Sequence, residues 1–291
     1  MFETHPSVST PPDDTVVWRY MTFAQFMKIL KSKTIWFSNL RYFDDPWEGA
    51  YPARLLKAFN EDIAQQPTTP PKVLIDKLKR LVRSATPENA WEIIEKMMQL
   101  NWNARTKREL FDAIAQGQKS DIEAVNCWHA NPHESLAMWV YYAKGPGSVA
   151  IRSTIGRLKK AFHATKHSIF IGTVRYIDHL SPDCVFHTNG LEWIMQKPNS
   201  YAFESEVRLV TIPFVASLHG AVEMASEAGT EIMVDRKSLI ESVWTHPKCQ
   251  EWESEFITKL LAEENLDQVQ VRKSFLASKP HDYFKAYETE N

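Results

Sequence analysis

The segment at residues 201–210 combines acidic and basic side chains at a spacing that could do chemistry. If this segment is extended, Glu204, Glu206 and Arg208 lie on one face of a strand, because successive side chains alternate between two faces. Two carboxylates so placed can stabilise a cationic transition state through their charge. The same residues also suit an ion-pair cluster, in which Glu206 pairs with Arg208 or with Arg19. Both interpretations stay open; under the first, Glu206 and Glu204 are the candidate catalytic residues.

Arg19 is the second candidate, because it lies in the middle of a short strand pattern between Trp18 and Tyr20. Burying an unpaired guanidinium is very costly, so Arg19 requires a carboxylate or an anionic ligand nearby. The sequence leaves open whether that partner is a glutamate or a phosphate. Arg19 and Tyr20 are therefore predicted to be ligand-binding residues.

Three carboxylates fall within five residues, at Asp44, Asp45 and Glu48. Such a density could bind a metal ion, but the spacing of a calcium-binding EF-hand loop is absent. Asp45 followed by Pro46 is typical of a turn, and Glu48 can pair with an arginine. We therefore expect no metal here and keep Asp45 and Glu48 as ligand-binding candidates.

A strand pattern at residues 124–128 is followed by an aromatic helix pattern that includes Trp139 and Tyr142. Cys127 and His129 could share a strand face, but a nucleophilic Cys–His pair usually draws its members from distant segments. Together with His133 they also fall short of the four ligands of a familiar zinc spacing. The patch is instead predicted to form an aromatic wall beside a ligand.

Charge and composition exclude several classes of function. The net charge is −2, and the most basic stretch, residues 72–83, has the spacing of a solvated helix face, so we do not expect nucleic-acid binding. The three cysteines are widely spaced and no signal peptide is evident, which indicates a reducing, cytoplasmic location. No apolar run approaches the roughly 20 residues of a membrane-spanning helix.

The elements that must position these residues form an irregular series of short strands and helices, which predicts an α+β fold with a mixed, mostly antiparallel sheet. Thr22 and Gln25 predict a helix N-terminus with a capping box, and Asn131 with Glu134 predicts another. One strand is predicted over residues 168–176. No glycine-rich turn has the spacing of a P-loop or a dinucleotide fingerprint.

Domain organisation is predicted from the same patterns along the 291 residues. Residues 1–14 contain three prolines and no hydrophobic stretch, so we expect a disordered leader. Residues 15–276 are predicted to form a single α+β domain, with a helical insertion at about 51–119, where no strand pattern interrupts the helical periodicity. Residues 277–291 are predicted to be a C-terminal tail.

These motifs, taken in order, resemble a bacterial family known as domain of unknown function 2971. The resemblance rests on residues 18–20, 37–49, 138–142, 147–151, 174–176, 204–208 and 243–247, and on Lys273 with Ser274. It covers most of residues 16–275, with the helical insertion matched least. The family brings no established activity.

The layout is also similar to that of ADP-ribosyltransferases, with Arg19 on a first strand, Ser38 on a second and Glu206 late in the chain, preceded by Glu204. The resemblance implies NAD as a substrate, with Arg19 holding the pyrophosphate and Glu206 stabilising an oxocarbenium-like state. It further implies that Trp139, Tyr142 or Phe37 stacks on nicotinamide, and that Ser38 and Arg208 contact the ligand.

The resulting expectation is an ADP-ribosyltransferase or NAD glycohydrolase, and a family of this kind suggests a toxin or phage-defence module. The alternative is a non-catalytic module that binds a small anionic ligand or a protein partner. Whether Arg19, Glu206 and the Trp139 helix converge on one open pocket distinguishes the two, because a mutually paired Arg19–Glu206 cluster would favour a structural role.

Overall fold

The computed structural model describes residues 2–5, 8–45, 124–181, 191, 193–211 and 228–277. Glu48, the predicted helical insertion and nearly all of the predicted C-terminal tail lie outside these residues. The strands are β1 (Phe2–Glu3), β2 (Val16–Met21), β3 (Thr34–Asn39), β4 (Ala124–Ala130), β5 (Val149–Thr154), β6 (Ile169–Thr173), β7 (Arg175–Ile177), β8 (Gln196–Pro198), β9 (Glu206–Thr211), β10 (Gly229–Met233), β11 (Ser242–Thr245) and β12 (Gln270–Lys273).

The helices connect these strands and cover the sheet. The α-helices are α1 (Phe23–Ser32), α2 (Leu136–Met138), α3 (Ile155–Ala161), α4 (Arg236–Leu239) and α5 (Glu251–Glu263), and a π-helix (Trp139–Ala143) continues α2. Short 3-10 helices lie at Leu40–Tyr42, Trp193–Met195, Asn199–Glu204 and Phe275–Ala277.

The main sheet has the strand order β1-β6-β9-β4-β2-β5-β11-β12, with β3 joined to β4 and β10 joined to β3. Its pairs are antiparallel except β1 with β6 and β11 with β12. The strands β7 and β8 form a separate parallel pair. This mixed, mostly antiparallel sheet with helices confirms the predicted α+β fold.

One edge of β4 serves two partners, which splits the sheet. The end of β4 at His129 pairs with Trp18 of β2, whereas its start at Val125 pairs with Ser38 of β3. Between these two pairings the Arg19 Nη1 atom donates to the Cys127 carbonyl oxygen at 2.6 Å. The guanidinium therefore satisfies backbone that the split leaves without a strand partner.

The helix α1 forms where its sequence predicts. Thr22 accepts a hydrogen bond from the Gln25 backbone and the Gln25 side chain accepts from Thr22 N, so the capping box is confirmed. Phe26, Ile29 and Leu30 form the buried face of the helix and pack into the main hydrophobic core. This core lies on one side of the sheet and fixes the strands that carry the candidate site on the other side.

The start of the chain differs from the predicted disordered leader in its described residues. Phe2–Glu3 pairs with β6, Val8 is buried, and the Thr10 hydroxyl donates to the Ile171 carbonyl at 2.7 Å. The edge of β6 offers unpaired backbone groups, and this segment covers them.

The predicted helix start at Asn131 is wrong. The helix α2 begins at Leu136 with Ser135 as its N-cap, and the Asn131 side chain instead accepts from His133 N in a turn. The carboxylate of Glu134 cannot complete a capping box, because it already accepts hydrogen bonds from Trp139 Nε1 and Phe275 N.

The single strand predicted over residues 168–176 is two strands in different sheets, β6 and β7. Val174 separates them and donates its backbone N–H to the Glu206 carbonyl oxygen at 2.9 Å. The chain changes sheets at this residue, which brings Tyr176 toward the start of β9.

Gly229 allows β10 to approach β3 closely. Its φ is +152°, and a Cβ atom there would lie 2.1 Å from the Phe37 carbonyl oxygen. We expect Gly229→Ala to lower the free energy of unfolding by about 1–3 kcal/mol, because the two strands would have to separate. Urea unfolding measures this loss.

The matched control is Gly145→Ala. Gly145 also has a positive φ, +110°, but a Cβ atom there would meet no atom within 4 Å. A loss of stability as large in Gly145→Ala as in Gly229→Ala would show that backbone conformation, and not the close approach of strands, is responsible.

Candidate functional site

Glu204 and Glu206 do not lie on one extended strand. Glu204 ends the 3-10 helix Asn199–Glu204, Ser205 adopts a left-handed conformation with φ of +41°, and β9 begins at Glu206. The prediction that Glu204, Glu206 and Arg208 share a strand face is therefore wrong for Glu204. The turn at Ser205 nevertheless brings both carboxylates toward one lysine.

That lysine is Lys197 on β8, which lies between the two carboxylates. Its Nζ atom is 2.5 Å from Glu204 Oε2 and 3.0 Å from Glu206 Oε2. The three side chains are 7%, 5% and 4% exposed, respectively, so the cluster is buried. We call Lys197, Glu204, Glu206 and Arg208 the carboxylate cluster.

Arg208 completes the carboxylate cluster from within β9. Its Nε lies 2.7 Å from Glu206 Oε1, its Nη2 lies 3.2 Å from Glu206 Oε2, and its Nη1 donates to the Ile194 carbonyl oxygen. The ion pair between Glu206 and Arg208, one of the two alternatives from the sequence, is thus present. Both Glu206 oxygens are held by cations.

The two carboxylates experience opposite electrostatic effects. Burial favours a higher pKa for Glu206, but the charges of Arg208 and Lys197 outweigh it and lower the pKa to about 2. Burial raises the pKa of Glu204, and Lys197 and Tyr142 only partly oppose this shift. One carboxylate is therefore held firmly as an anion, whereas its neighbour takes up a proton more readily.

Two tyrosines and a histidine complete the surroundings of the cluster. The Tyr142 hydroxyl donates to Glu204 Oε1, and the Tyr176 hydroxyl accepts from Glu206 N at 2.7 Å. Burial is the main reason that the pKa of Tyr176 is raised to about 12. His129 Nδ1 lies 2.5 Å from the Glu204 carbonyl oxygen, and since a carbonyl only accepts, this nitrogen carries the proton.

Tyr142 links the cluster to solvent. It is 42% exposed and lies in the π-helix, an element that is often found at functional sites. Tyr141 and Phe203 are also exposed, and their ring centroids are 5.5 Å apart. Lys197, Tyr141 and Phe203 were not among the site residues predicted from the sequence, where the aromatic run that includes Tyr141 is the only local signal.

Arg19 does not join the carboxylate cluster. Trp18, His129 and Glu206 are direct partners across three strands and face one side of the sheet, so Arg19, the next residue after Trp18, faces the other. Burial lowers the pKa of Arg19, and its guanidinium bonds the Cys127 carbonyl. Among the described residues, Arg19 has no glutamate partner and does not converge with Glu206, so these residues do not form the single pocket that was expected of the enzyme.

The predicted stacking residues differ in their access to a ligand. Phe37 and Trp139 are buried in the core, and Trp139 Nε1 donates to Glu134 Oε2 at 2.8 Å, so neither can stack on nicotinamide as the protein stands. Tyr142 alone of the three is exposed. Tyr20 is buried and its hydroxyl accepts from Ser135 N at 2.8 Å.

Ser38 and Asp45 are half-buried at a distance along the chain from the cluster, Ser38 on β3 and Asp45 in the loop that follows the first 3-10 helix. Glu48 lies outside the described residues. Within the described part of the chain, no group of three or more His, Cys, Asp or Glu side chains is placed to hold a metal ion. Burial raises the pKa of the Cys127 thiol, which is unfavourable for a nucleophilic thiolate.

Comparisons with known proteins give one likeness. No protein-family model matches the chain, and no curated protein matches it. The chain is similar to a solved structure of Thermus sp. 2.9 DarT in complex with ADP-ribosylated ssDNA, with 11% identity, coverage of 92% of this chain and 96% of that chain, and a TM-score of 0.34. A TM-score this low leaves both fold and activity to be argued from the chain's own residues.

The resemblance to domain of unknown function 2971 therefore stays a prediction. Among the described helices, none is long and apolar enough to cross a membrane.

Proposed function

We propose that the chain is an enzyme of the ADP-ribosyltransferase or NAD glycohydrolase kind, which cleaves the bond between ribose and nicotinamide in NAD or a related nucleotide at the carboxylate cluster. The observation that carries the proposal is the pair Glu204 and Glu206, which share Lys197 while their pKa values shift in opposite directions. Such divergence between neighbouring carboxylates is typical of acid–base sites.

Glu204 is the better placed of the two to meet a substrate. Both Glu206 oxygens are bonded to cations, whereas one Glu204 oxygen is bonded to the half-exposed Tyr142. A ligand that displaces the Tyr142 hydroxyl reaches Glu204 directly. In this proposal Glu204 faces the ribose, and Glu206 is a positioning residue that fixes Lys197 and Arg208.

The reaction balances with these groups. The C–N bond to nicotinamide breaks with both electrons going to the leaving group, and the positive charge that develops on the ribose is stabilised by the Glu204 carboxylate. Water or an acceptor group then bonds to the ribose carbon and gives its proton to Glu204. The raised pKa of Glu204 suits it to accept this proton.

The exposed rings beside Tyr142 supply a place for the base of the nucleotide. Tyr141 and Phe203 present adjacent aromatic faces to solvent, and aromatic rings of this kind stack on planar heterocycles. This role replaces the one that the sequence assigned to Trp139 and Phe37. A place in a toxin or phage-defence module would follow from the acceptor that the enzyme modifies.

The test is nicotinamide release from NAD by the purified chain and by Glu204→Gln. We expect Glu204→Gln to lower the rate at least about 100-fold, because it removes both the charge and the proton acceptor. The matched control is Glu231→Gln, which removes from β10 a partly exposed carboxylate that pairs with Lys28 of α1, and which should leave the rate unchanged. Circular dichroism of each variant establishes that it is folded.

Two results would contradict the proposal. One is the absence of nicotinamide release from NAD and NADP by the wild-type chain, and the other is wild-type turnover by folded Glu204→Gln. Including labelled NAD in the same assay identifies the acceptor, whether protein, nucleic acid or water.

A binding module without catalysis is the second candidate function. The observation that favours it is the mutual ion pairing of the cluster, in which the buried Glu206 carboxylate is engaged by Arg208 and Lys197 through both oxygens. Such pairing also suits a structural role. A rise in melting temperature with NAD or ADP-ribose, without any nicotinamide release, would favour this candidate.

A further inference from the structure

A cleft lies over the other half of the same sheet face, away from the carboxylate cluster. Its volume is about 580 Å³, within the range of small-molecule sites. The lining includes Trp18, Arg152, Ser242, Trp244, Arg272 and Phe275. We call it the Trp244 cleft.

The pairing of β11 with β12 and with β5 determines which side chains lie at the floor of the Trp244 cleft. Arg272 of β12 is the direct partner of Trp244 of β11, and both therefore face the same side. The next strand across contributes the small residue Ala150 opposite Trp244. Ala150 is fully buried in the hydrophobic cluster that contains Trp18, and Trp244 packs against that cluster.

The carboxylates of the cleft are used by internal partners. Glu241 pairs with Arg152, and Glu134 accepts from Trp139 Nε1 at 2.8 Å and from Phe275 N at 2.9 Å. Glu241 neutralises the charge of Arg152, whereas Glu134 accepts from two neutral N–H donors and keeps its negative charge. Neither carboxylate forms an ion pair with Arg272.

Arg272 carries the remaining positive charge of the cleft. Its Nε and Nη2 atoms donate to one oxygen of Gln270, at 3.2 and 2.8 Å, and it forms no ion pair with any carboxylate of the described residues. A guanidinium has five N–H donors, so several are open to a ligand. Guanidinium groups bind carboxylate and phosphate in a bidentate manner.

Trp244 supplies a fixed aromatic surface next to that charge. The Arg272 guanidinium lies 6.0 Å from the Trp244 ring centroid, and Trp244 Nε1 donates to Ser242 Oγ at 3.1 Å. Trp18 meets the ring edge-on, with centroids 5.3 Å apart. The half-buried ring is therefore held on two sides and can stack on a planar ligand.

We propose that the Trp244 cleft binds a nucleoside monophosphate, with the base against Trp244 and the phosphate on Arg272. The combination of a fixed indole and a guanidinium without an ion-pair partner among the described residues matches a ligand that joins a planar ring to an anion. The Trp244 cleft shares no residue with the carboxylate cluster, so AMP binding in the cleft can be tested separately from the proposed enzymatic activity.

Isothermal titration calorimetry of the full chain with AMP tests the site. We expect wild-type binding that Arg272→Ala weakens about tenfold or more, since a charge-assisted bidentate contact is lost. The matched control is Lys273→Ala, which removes the same charge from the neighbouring residue on the opposite face of β12, where Lys273 pairs with Glu251. This control should bind AMP within about twofold of wild type.

Further ligands and variants separate the explanations. Adenosine and ribose 5-phosphate should each bind more weakly than AMP, because each lacks one of the two recognised parts. Absence of AMP binding to the wild type, or equal weakening by Arg272→Ala and Lys273→Ala, would overturn the proposal. Loss of AMP binding in folded Glu204→Gln would also overturn it, because the ligand would then bind at the carboxylate cluster. Tighter binding of benzoate than of AMP would overturn it as well, since benzoate joins a planar ring to an anion without being a nucleotide.

Discussion

Replacing Arg208 with methionine is expected to lower the free energy of unfolding by about 3–5 kcal/mol, the largest effect of any single substitution considered for the chain. Arg208 is fully buried and donates to both Glu206 oxygens and to the Ile194 carbonyl oxygen. Methionine fills a similar volume but leaves a buried carboxylate with Lys197 as its remaining cation. Urea unfolding monitored by circular dichroism measures the loss.

The matched control for this prediction is Arg152→Met. Arg152 also pairs with a glutamate, Glu241, but the two side chains are 26% and 36% exposed, so we expect a cost of about 1 kcal/mol or less. The double variant Arg208→Met with Glu206→Gln should lose less than the sum of its single variants, because no charge is then left unpaired within the pair. Equal costs for Arg208→Met and Arg152→Met would contradict the prediction.

The stability of the chain is expected to fall in acid through Glu206. Its pKa is about 2 in the folded protein against an ordinary value of 4.5, so the folded state holds the anion more strongly than the unfolded chain does. This contributes stability on the order of 3 kcal/mol above about pH 4.5, which is lost as the pH falls toward 2. Glu204 acts in the opposite direction. Its pKa is raised in the folded protein, so the folded state takes up this proton at a higher pH than the unfolded chain does, and protonation of Glu204 favours folding as the pH falls.

Urea unfolding of the wild type and of Glu206→Gln between about pH 6 and pH 3 checks this prediction. The variant will be less stable throughout, because Arg208 and Lys197 lose their shared anion; the informative quantity is the slope of stability against pH. We expect a flatter slope below about pH 4.5 in Glu206→Gln. Parallel slopes would show that other groups govern the acid response.

Elements set by neighbouring residues could be predicted from the sequence. The capping box of Thr22 and Gln25 needs only a spacing of three residues and an apolar helix face after it, and both are visible in a short stretch of sequence. The helix at residues 155–161 and the ion pair of Glu206 with Arg208 within one strand are of the same kind. The fold class followed from the pattern of such elements.

The composition of the carboxylate cluster could not be predicted, because contacts from outside the segment create it. Nothing in the residues near Ser205 indicates a left-handed turn, which is uncommon for a residue other than glycine. The turn is held by Ala130 N, which donates to the Ser205 carbonyl oxygen at 2.8 Å. Lys197 approaches the carboxylates only because β8 pairs with β7, a register that the sequence does not encode locally.

Arg19 illustrates a different limit. Its type and position correctly signalled that an arginine inside a sheet must have a partner, but the sequence suggested anions as the only candidates. The split of β4 between β2 and β3 creates an unpaired carbonyl at Cys127, and this neutral acceptor takes the place of the expected anion.

The π-helix has a consequence for how far the chain length can vary at this point. In a π-helix each carbonyl accepts from the N–H five residues later, whereas in an α-helix it accepts from the N–H four residues later. The π-helix Trp139–Ala143 is therefore equivalent to the insertion of one residue into an α-helix. Deleting Val140 or Tyr141 would restore regular α-helical winding and rotate Tyr142 by about 100° around the axis, away from Glu204. We therefore expect relatives that keep the Tyr142–Glu204 contact to keep the number of residues between Met138 and Tyr142.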